Sequence, residues 1–271
     1  FAWSWLGAAL STTNVSFGTV CAPGQRYHPA VIAQAAATLA EMFPGRFWLA
    51  VGSGEALNEH ITGDSWPPKE KRDARLKECV DVIRALWAGD IVNHRNLVNV
   101  VDAKLYTRPA EPPKLIGAAL TPETARWMGA WADGLITAGN NSKDLRQIVE
   151  AFREGGGEGK PLFLQSAISL AATEDEAVRQ AHREWRHCPL DGDQIADLPT
   201  PWAFETASRN VTPQQVAGRL RVSADVNCHI NWLREDMETG FDVVYIHQIA
   251  RDMNRFLDTF GAEVLPELAA R

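Results

Sequence analysis

Apolar residues along this chain follow two rhythms. Six runs are apolar almost without interruption, at 15–22, 46–53, 114–119, 133–138, 162–170 and 241–249. Continuous apolar character over so short a span predicts parallel strands covered on both faces. Between and after them, at 29–43, 69–87, 122–131, 143–154, 173–186 and 251–260, apolar residues return at helical spacing. Leu76, Val80, Ile83 and Trp87, for example, fall on one helical face. Thr121-Pro122-Glu123 supplies an N-cap and a proline at the first helical position. The run Gly155-Gly156-Gly157 is expected to end the helix before it. A further helical pattern, over 2–10, opens the chain.

Regular strand–helix alternation means βαβ units and an α/β fold. Six units are two short of the eight that close a (β/α)8 TIM barrel. The expectation is therefore a barrel whose first two βα units are absent from these 271 residues. The competing arrangement, an open doubly wound sheet, calls for a GxGxxG turn after its first strand, and the sequence has none. A single barrel domain over 1–271 is expected, with a hairpin-like insertion at 90–113 and a polar, lid-like excursion at 187–212. Phe1 lies inside an apolar helical pattern, so upstream sequence is expected and a leader peptide stays open.

Charge and cysteine usage narrow the partners. The net charge of −7 disfavours nucleic acid as the main partner and leaves a small-molecule substrate. Cys21, Cys79, Cys188 and Cys228 are scattered without a CxxC pair, which predicts a reducing compartment, the cytoplasm. No apolar run reaches the ~18 residues of a membrane span.

Candidate chemistry gathers where strands end, as it does in barrels. The stretch Phe47–Val51 runs straight into Gly52-Ser53-Gly54-Glu55-Ala56-Leu57-Asn58-Glu59-His60. Gly52 and Gly54 would let backbone approach a flat ligand. Glu55, at the rim, would have its pKa raised by burial and serve as an acid or base. The plain alternative is a tight turn with Glu55 capping a helix. His28, held extended before Pro29, either touches a ligand or is a loop residue. His247, near the end of the last strand, either faces the barrel mouth or is a core histidine. The turn Gly117-Ala118-Ala119-Leu120-Thr121-Pro122 places backbone N–H groups at a helix start, a weak anion site. A metal-dependent hydrolase would require folding to gather His28, Glu55, Glu59, His60 and His247 around a metal, and no HxH or HExxH pair supports it.

Two motifs, Arg26-Tyr27-His28-Pro29-Ala30-Val31-Ile32-Ala33-Gln34-Ala35 and Gly52-Ser53-Gly54-Glu55-Ala56-Leu57-Asn58-Glu59, resemble those of the bacterial luciferase-like oxidoreductases. Within them the chain is similar to the branch around the F420-dependent glucose-6-phosphate dehydrogenases and their ordinary-flavin relatives. The resemblance runs through 114–137 to 241–247 and implies a barrel carrying FMN, or alternatively the deazaflavin coenzyme F420, at its strand ends. It implies that Thr19 and Val20 support the cofactor ring through a bulge with a non-proline cis peptide. Ser53, Gly54 and Asn58 would line the cofactor, with Ala118, Ala119, Leu120 and Thr121 beside its phosphate-bearing tail. Glu55 would be the active-site acid, His247 and His28 would shape the substrate pocket, and the protein would be a homodimer. The reaction implied is hydride transfer between the ring and a small organic substrate, as a monooxygenase or a dehydrogenase.

Two departures stand out. The family's first two strands, with an Asp-His pair after the second, have no counterpart here. Where the sugar-phosphate enzymes carry a lysine, this chain has Asn140-Asn141, and Arg219 is a single candidate for another phosphate contact. Glucose 6-phosphate is accordingly not the expected substrate. The missing units also keep open a non-catalytic, luciferase-like partner protein.

Overall fold

The computed structural model describes residues 1–269, which fall into two compact units. The first comprises Phe1–Ala118 with Ala196–Pro199, the second Ala119–Ile195 with the chain from Thr200 onward.

In the first unit, helix α1 (Ala2–Thr12) leads into strand β1 (Phe17–Cys21), helix α2 (Pro29–Met42), strand β2 (Phe47–Val51), the short helix α3 (Ala56–Glu59) and helix α4 (Lys69–Ala88). Strands β3 (Val92–Arg95) and β4 (Asn99–Ala103) form an antiparallel hairpin, and β5 (Leu115–Ala118) ends the unit. β1 pairs parallel with β2, from Phe17 opposite Phe47 to Cys21 opposite Val51, and β2 pairs parallel with β5. Each helix buries the face its sequence marked. α2 covers the strands with Ile32, Ala33, Ala36 and Ala37, and α4 contributes Leu76, Val80 and Ile83, all essentially inaccessible. Glu78 on α4 receives His94, Asn96 and the Leu97 N–H, which fastens the hairpin.

No cis peptide bond occurs among the described residues. The β1–β2 register runs through Thr19 and Val20 without a slip, so neither the bulge nor the cis peptide expected there is present. Regular trans backbone satisfies the ladder at this position, whereas a non-proline cis bond would cost about 3 kcal/mol.

The second unit runs through α5 (Pro122–Gly129), β6 (Gly134–Ala138), α6 (Ser142–Phe152), β7 (Leu162–Leu170) and α7 (Glu174–Trp185). α8 (Gly192–Asp197), α9 (Pro201–Ala207) and α10 (Pro213–Ala217) follow, then β8 (Arg221–Ser223), α11 (Val226–Thr239), β9 (Val243–Gln248), α12 (Met253–Thr259) and α13 (Leu265–Ala269). β7 pairs parallel with β6, β8 and β9. Gly155-Gly156-Gly157 does more than end α6. It continues as a wide helical turn, and a methyl on Gly155 would lie 1.9 Å from the Arg126 carbonyl, so glycine permits the contact with α5.

Beneath β7 and β8 lies a buried ion pair. Arg221 (3% exposed) grips Asp236 (0%) with two hydrogen bonds, one of them Nη2 to Oδ1 at 2.7 Å, and donates from Nη1 to Ser166 Oγ at 3.0 Å. Burial pushes the Asp236 pKa up, and the guanidinium pulls against it. Removing one partner leaves the other buried and uncompensated. Asp236→Ala should therefore cost about 3–5 kcal/mol in chemical denaturation, whereas replacing both partners by apolar residues (Arg221→Met with Asp236→Leu) should cost less. Equal losses in the two variants would contradict this account.

Candidate active site

Two strand ends of the first unit build the site that can be described there. β2 ends at Val51, and Gly52 N–H returns to the Cys21 carbonyl at 3.1 Å, so the turn starts flush against the end of β1. Gly54 then adopts φ +85°. A methyl on it would come within 2.9 Å of Ala22 Cβ and 3.1 Å of Glu59 Cγ. The position admits only glycine comfortably, in conformation and in space. Gly52 differs, since a methyl there would meet only Ala118 atoms at 3.5 and 3.6 Å, ordinary contacts.

Glu55 occupies the N-cap position of α3, but its side chain makes no capping hydrogen bond. The residue is exposed, yet the atoms around its carboxyl remove enough water to raise its pKa by desolvation. A carboxyl that is solvent-accessible, uncommitted and biased toward its protonated form is suited to passing a proton.

The second carboxylate of the same motif has the opposite surroundings. Glu59 is 1% exposed, accepts the Arg26 backbone N–H at 2.9 Å and faces Arg26 Nε at 3.5 Å. It ties the loop after β1 to the turn after β2. Cys21, beside it, is a neutral thiol, since burial pushes its pKa up to about 12, with Glu59 adding to the shift.

His28 has both ring nitrogens engaged. Nδ1 accepts the Ala30 N–H at 3.2 Å, capping α2, and Nε2 lies 2.8 Å from the Asn99 carbonyl. His60 Nδ1 is likewise taken, at 2.7 Å from the Ala56 carbonyl. Val20, by contrast, is 53% exposed at the end of a strand whose next residue, Cys21, is buried. Thr19 is half-buried, as are Ser53 and Ala118, while Asn58 is exposed on α3.

The remaining expected residues lie in the second unit. Ala119 is buried, and its N–H bonds to the Ile136 carbonyl at 3.1 Å. Leu120 is 63% exposed, and Thr121 spends its hydroxyl capping α5. His247 stands exposed near the end of β9 with Trp185 edge-on at 5.1 Å, and desolvation lowers its pKa, so the ring is neutral at pH 7. His187, also lowered by burial, continues this row of rings between Trp185 and Phe204. Among the described residues no group of three His, Cys, Asp or Glu side chains is placed to hold a metal ion.

Sequence reasoning missed two groups. One is the Arg221–Asp236–Ser166 network, whose Ser166 Oγ lies 3.2 Å from the Asn140 amide. The other is a cluster of Trp66, Arg72 and Asp197 behind Gly54. Charged residues in apolar surroundings were the available signal for the first, while the second joins residues too distant in sequence to leave one.

The model of the family described as luciferase-like monooxygenase matches residues 1–244. The chain is 36% identical to the F420-dependent glucose-6-phosphate dehydrogenase of Nakamurella multipartita, over 98% of this chain and 81% of that protein. It is 35% identical to the protein of the same name from Kribbella flavida, over 99% and 84%. Among solved structures, an F420-dependent secondary alcohol dehydrogenase in complex with an F420-acetone adduct superposes with a TM-score of 0.90 at 29% identity, covering 98% of this chain and 84% of that one. The coenzyme F420-dependent tetrahydromethanopterin reductase of Methanopyrus kandleri reaches a TM-score of 0.70 at 19% identity, over 97% and 86%, a likeness of fold alone.

The two glycines of the turn should separate under mutation. Gly54→Ala should destabilise by about 1–3 kcal/mol through backbone strain and the Ala22 contact. Gly52→Ala should stay within about 1 kcal/mol. Thermal unfolding of both variants checks this, and equal shifts would remove the conformational role given to Gly54.

Proposed function

The chain belongs to the luciferase-like monooxygenase family, whose TIM-barrel fold it shares, and from that premise we propose that it is an oxidoreductase moving a hydride between coenzyme F420 and a carbon that carries a hydroxyl in a small organic substrate. The observation that carries this reading is the uncommitted, desolvated Glu55 beside the Gly54 turn.

The order of cofactors expected from sequence, FMN first and F420 second, is reversed here. The relatives at 29% to 36% identity reported above are all named for F420. The residues present fit such a group. Gly54 lets the turn pack directly against Ala22 and Glu59, and Val20 exposes an apolar side chain near the end of β1, as contact with a flat ring requires. Thr19, Val20, Ser53, Gly54, Asn58 and Ala118, with Ala119, Leu120 and Thr121, are assigned to hold it. When bound, the deazaflavin supplies the hydride acceptor.

The substrate loses a hydride and the proton of its hydroxyl. His247, neutral and with Trp185 fixing one side of its ring, is assigned to accept that proton. Glu55 holds the second exchangeable proton at its carboxyl, and desolvation keeps it there at higher pH than an ordinary carboxyl would. His28, with both nitrogens engaged, retains only a structural part.

Titration with F420 and with FMN tests the cofactor: micromolar binding of F420 and weaker binding of FMN are expected, and the reverse order would overturn the assignment. Glu55→Gln should lower kcat by about 10²–10⁴ while F420 affinity survives. In the wild type, the pH profile of kcat/KM should show a limb above the ordinary carboxylate value of about 4.3, and the limb should vanish in the variant. A limb that persists in Glu55→Gln would assign the proton elsewhere. Assays with secondary alcohols and with glucose 6-phosphate distinguish the two activities named for the relatives.

A further inference from the structure

Behind the Gly54 turn a tryptophan is held from two sides. Trp66 donates its indole N–H to Asp197 Oδ1 at 2.8 Å, and the Arg72 guanidinium lies 4.3 Å from the centre of its ring. Arg72 is 6% exposed, and its Nε and Nη1 find no hydrogen-bond acceptor among the described residues. Its charge is met by the Trp66 ring and, at 3.9 Å, by Asp197. A buried guanidinium with so few partners depends strongly on the ones it has. Asp197 is 68% exposed, and it serves both neighbours at once.

This clasp reaches the candidate site through one contact. A methyl on Gly54 would lie 3.5 Å from Trp66 Cη2, so the ring forms one wall of the niche in which Gly54 adopts its left-handed conformation, with Ala22 and Glu59 as the others. Glu55 follows directly in the chain.

We propose that Asp197 and Arg72 are positioning residues: by fixing the Trp66 ring they hold the Gly54 turn, and with it the backbone that carries Glu55 and borders the cofactor. The inference rests on the deazaflavin reading for its catalytic consequence, but not for its structural one. Asp197 comes from the polar excursion at 187–212, far from α4 in sequence, so that excursion takes part in setting the turn.

Hydrogen–deuterium exchange on the full chain reads the structural part without any cofactor. Asp197→Ala and the conservative Trp66→Phe should speed exchange of amides 52–60 by about tenfold, because the turn opens locally. Lys77→Ala, which removes the exposed Lys77–Asp81 pair elsewhere on α4, should leave those amides unchanged. In the holoenzyme, Asp197→Ala should raise KM for F420 by about tenfold with kcat within about twofold, and Asp197→Asn, which keeps an acceptor for the indole, should recover most of that loss. Wild-type exchange over 52–60 in both Asp197→Ala and Trp66→Phe would overturn the proposal. Faster exchange in a protein that binds no F420 would uphold the clasp and defeat the deazaflavin reading instead.

Discussion

The first unit is organised around a buried negative charge. A carboxylate with 1% exposure must be paired or hydrogen-bonded, and Glu59 meets that demand with the backbone and side chain of Arg26. The consequence is geometric. Arg26 belongs to the loop after β1 and Glu59 to the helix after β2, so the carboxylate locks two consecutive strand ends in one arrangement. The glycine turn is closed over the same group, since Glu59 Cγ forms part of the wall around Gly54. The neighbouring thiol of Cys21 is held neutral by the same burial and the same charge, which makes it packing rather than a nucleophile.

Glu55 and Glu59 are four residues apart and chemically identical, yet their environments separate them. Glu59 is spent on structure. Glu55, at the N-cap without a capping bond, has no such employment, and it meets desolvation with no compensating partner. The difference arises because Glu55, extended at the N-cap, stands outside α3 at the rim, whereas Glu59 ends the helix and faces inward against Arg26.

Much of the fold was legible because parallel strands and amphipathic helices write themselves into apolar spacing. The runs at 15–22, 46–53 and 162–170 contain β1, β2 and β7, the last residue for residue. Gly54 and Glu55 could be singled out because glycine beside titratable groups at a strand end is unusual in a dry run. α11 was not seen, since its buried face includes His229 and Asp236, polar residues that interrupt the expected pattern. β8 was hidden for the same reason, as three residues beginning with a buried arginine do not read as a strand. The two faces hide each other's signal: Asp236 makes sense only beside Arg221, and their pairing is a fact of the folded chain. The fate of Glu59 was hidden as well, because spacing cannot tell a partnered carboxylate from a free one.

Charge is handled consistently in the interior of both units. Arg221 is cancelled by Asp236 and Glu59 by Arg26, while Arg72 is shared between a ring and Asp197. The groups left near strand ends without such a partner, Glu55 and His247, are both biased by desolvation toward their neutral forms. On the proposed function, hydride transfer would gain from that bias. A hydride carries its electron pair through a space where a fixed charge at close range would favour one redox state of the ring over the other, whereas a neutral acid and a neutral base can each take up or release a proton as the charge moves. Buried charges that each face an opposite charge or a ring leave little net field in the scaffold, so on the proposed function the titratable groups at the rim would supply charge when the reaction calls for it.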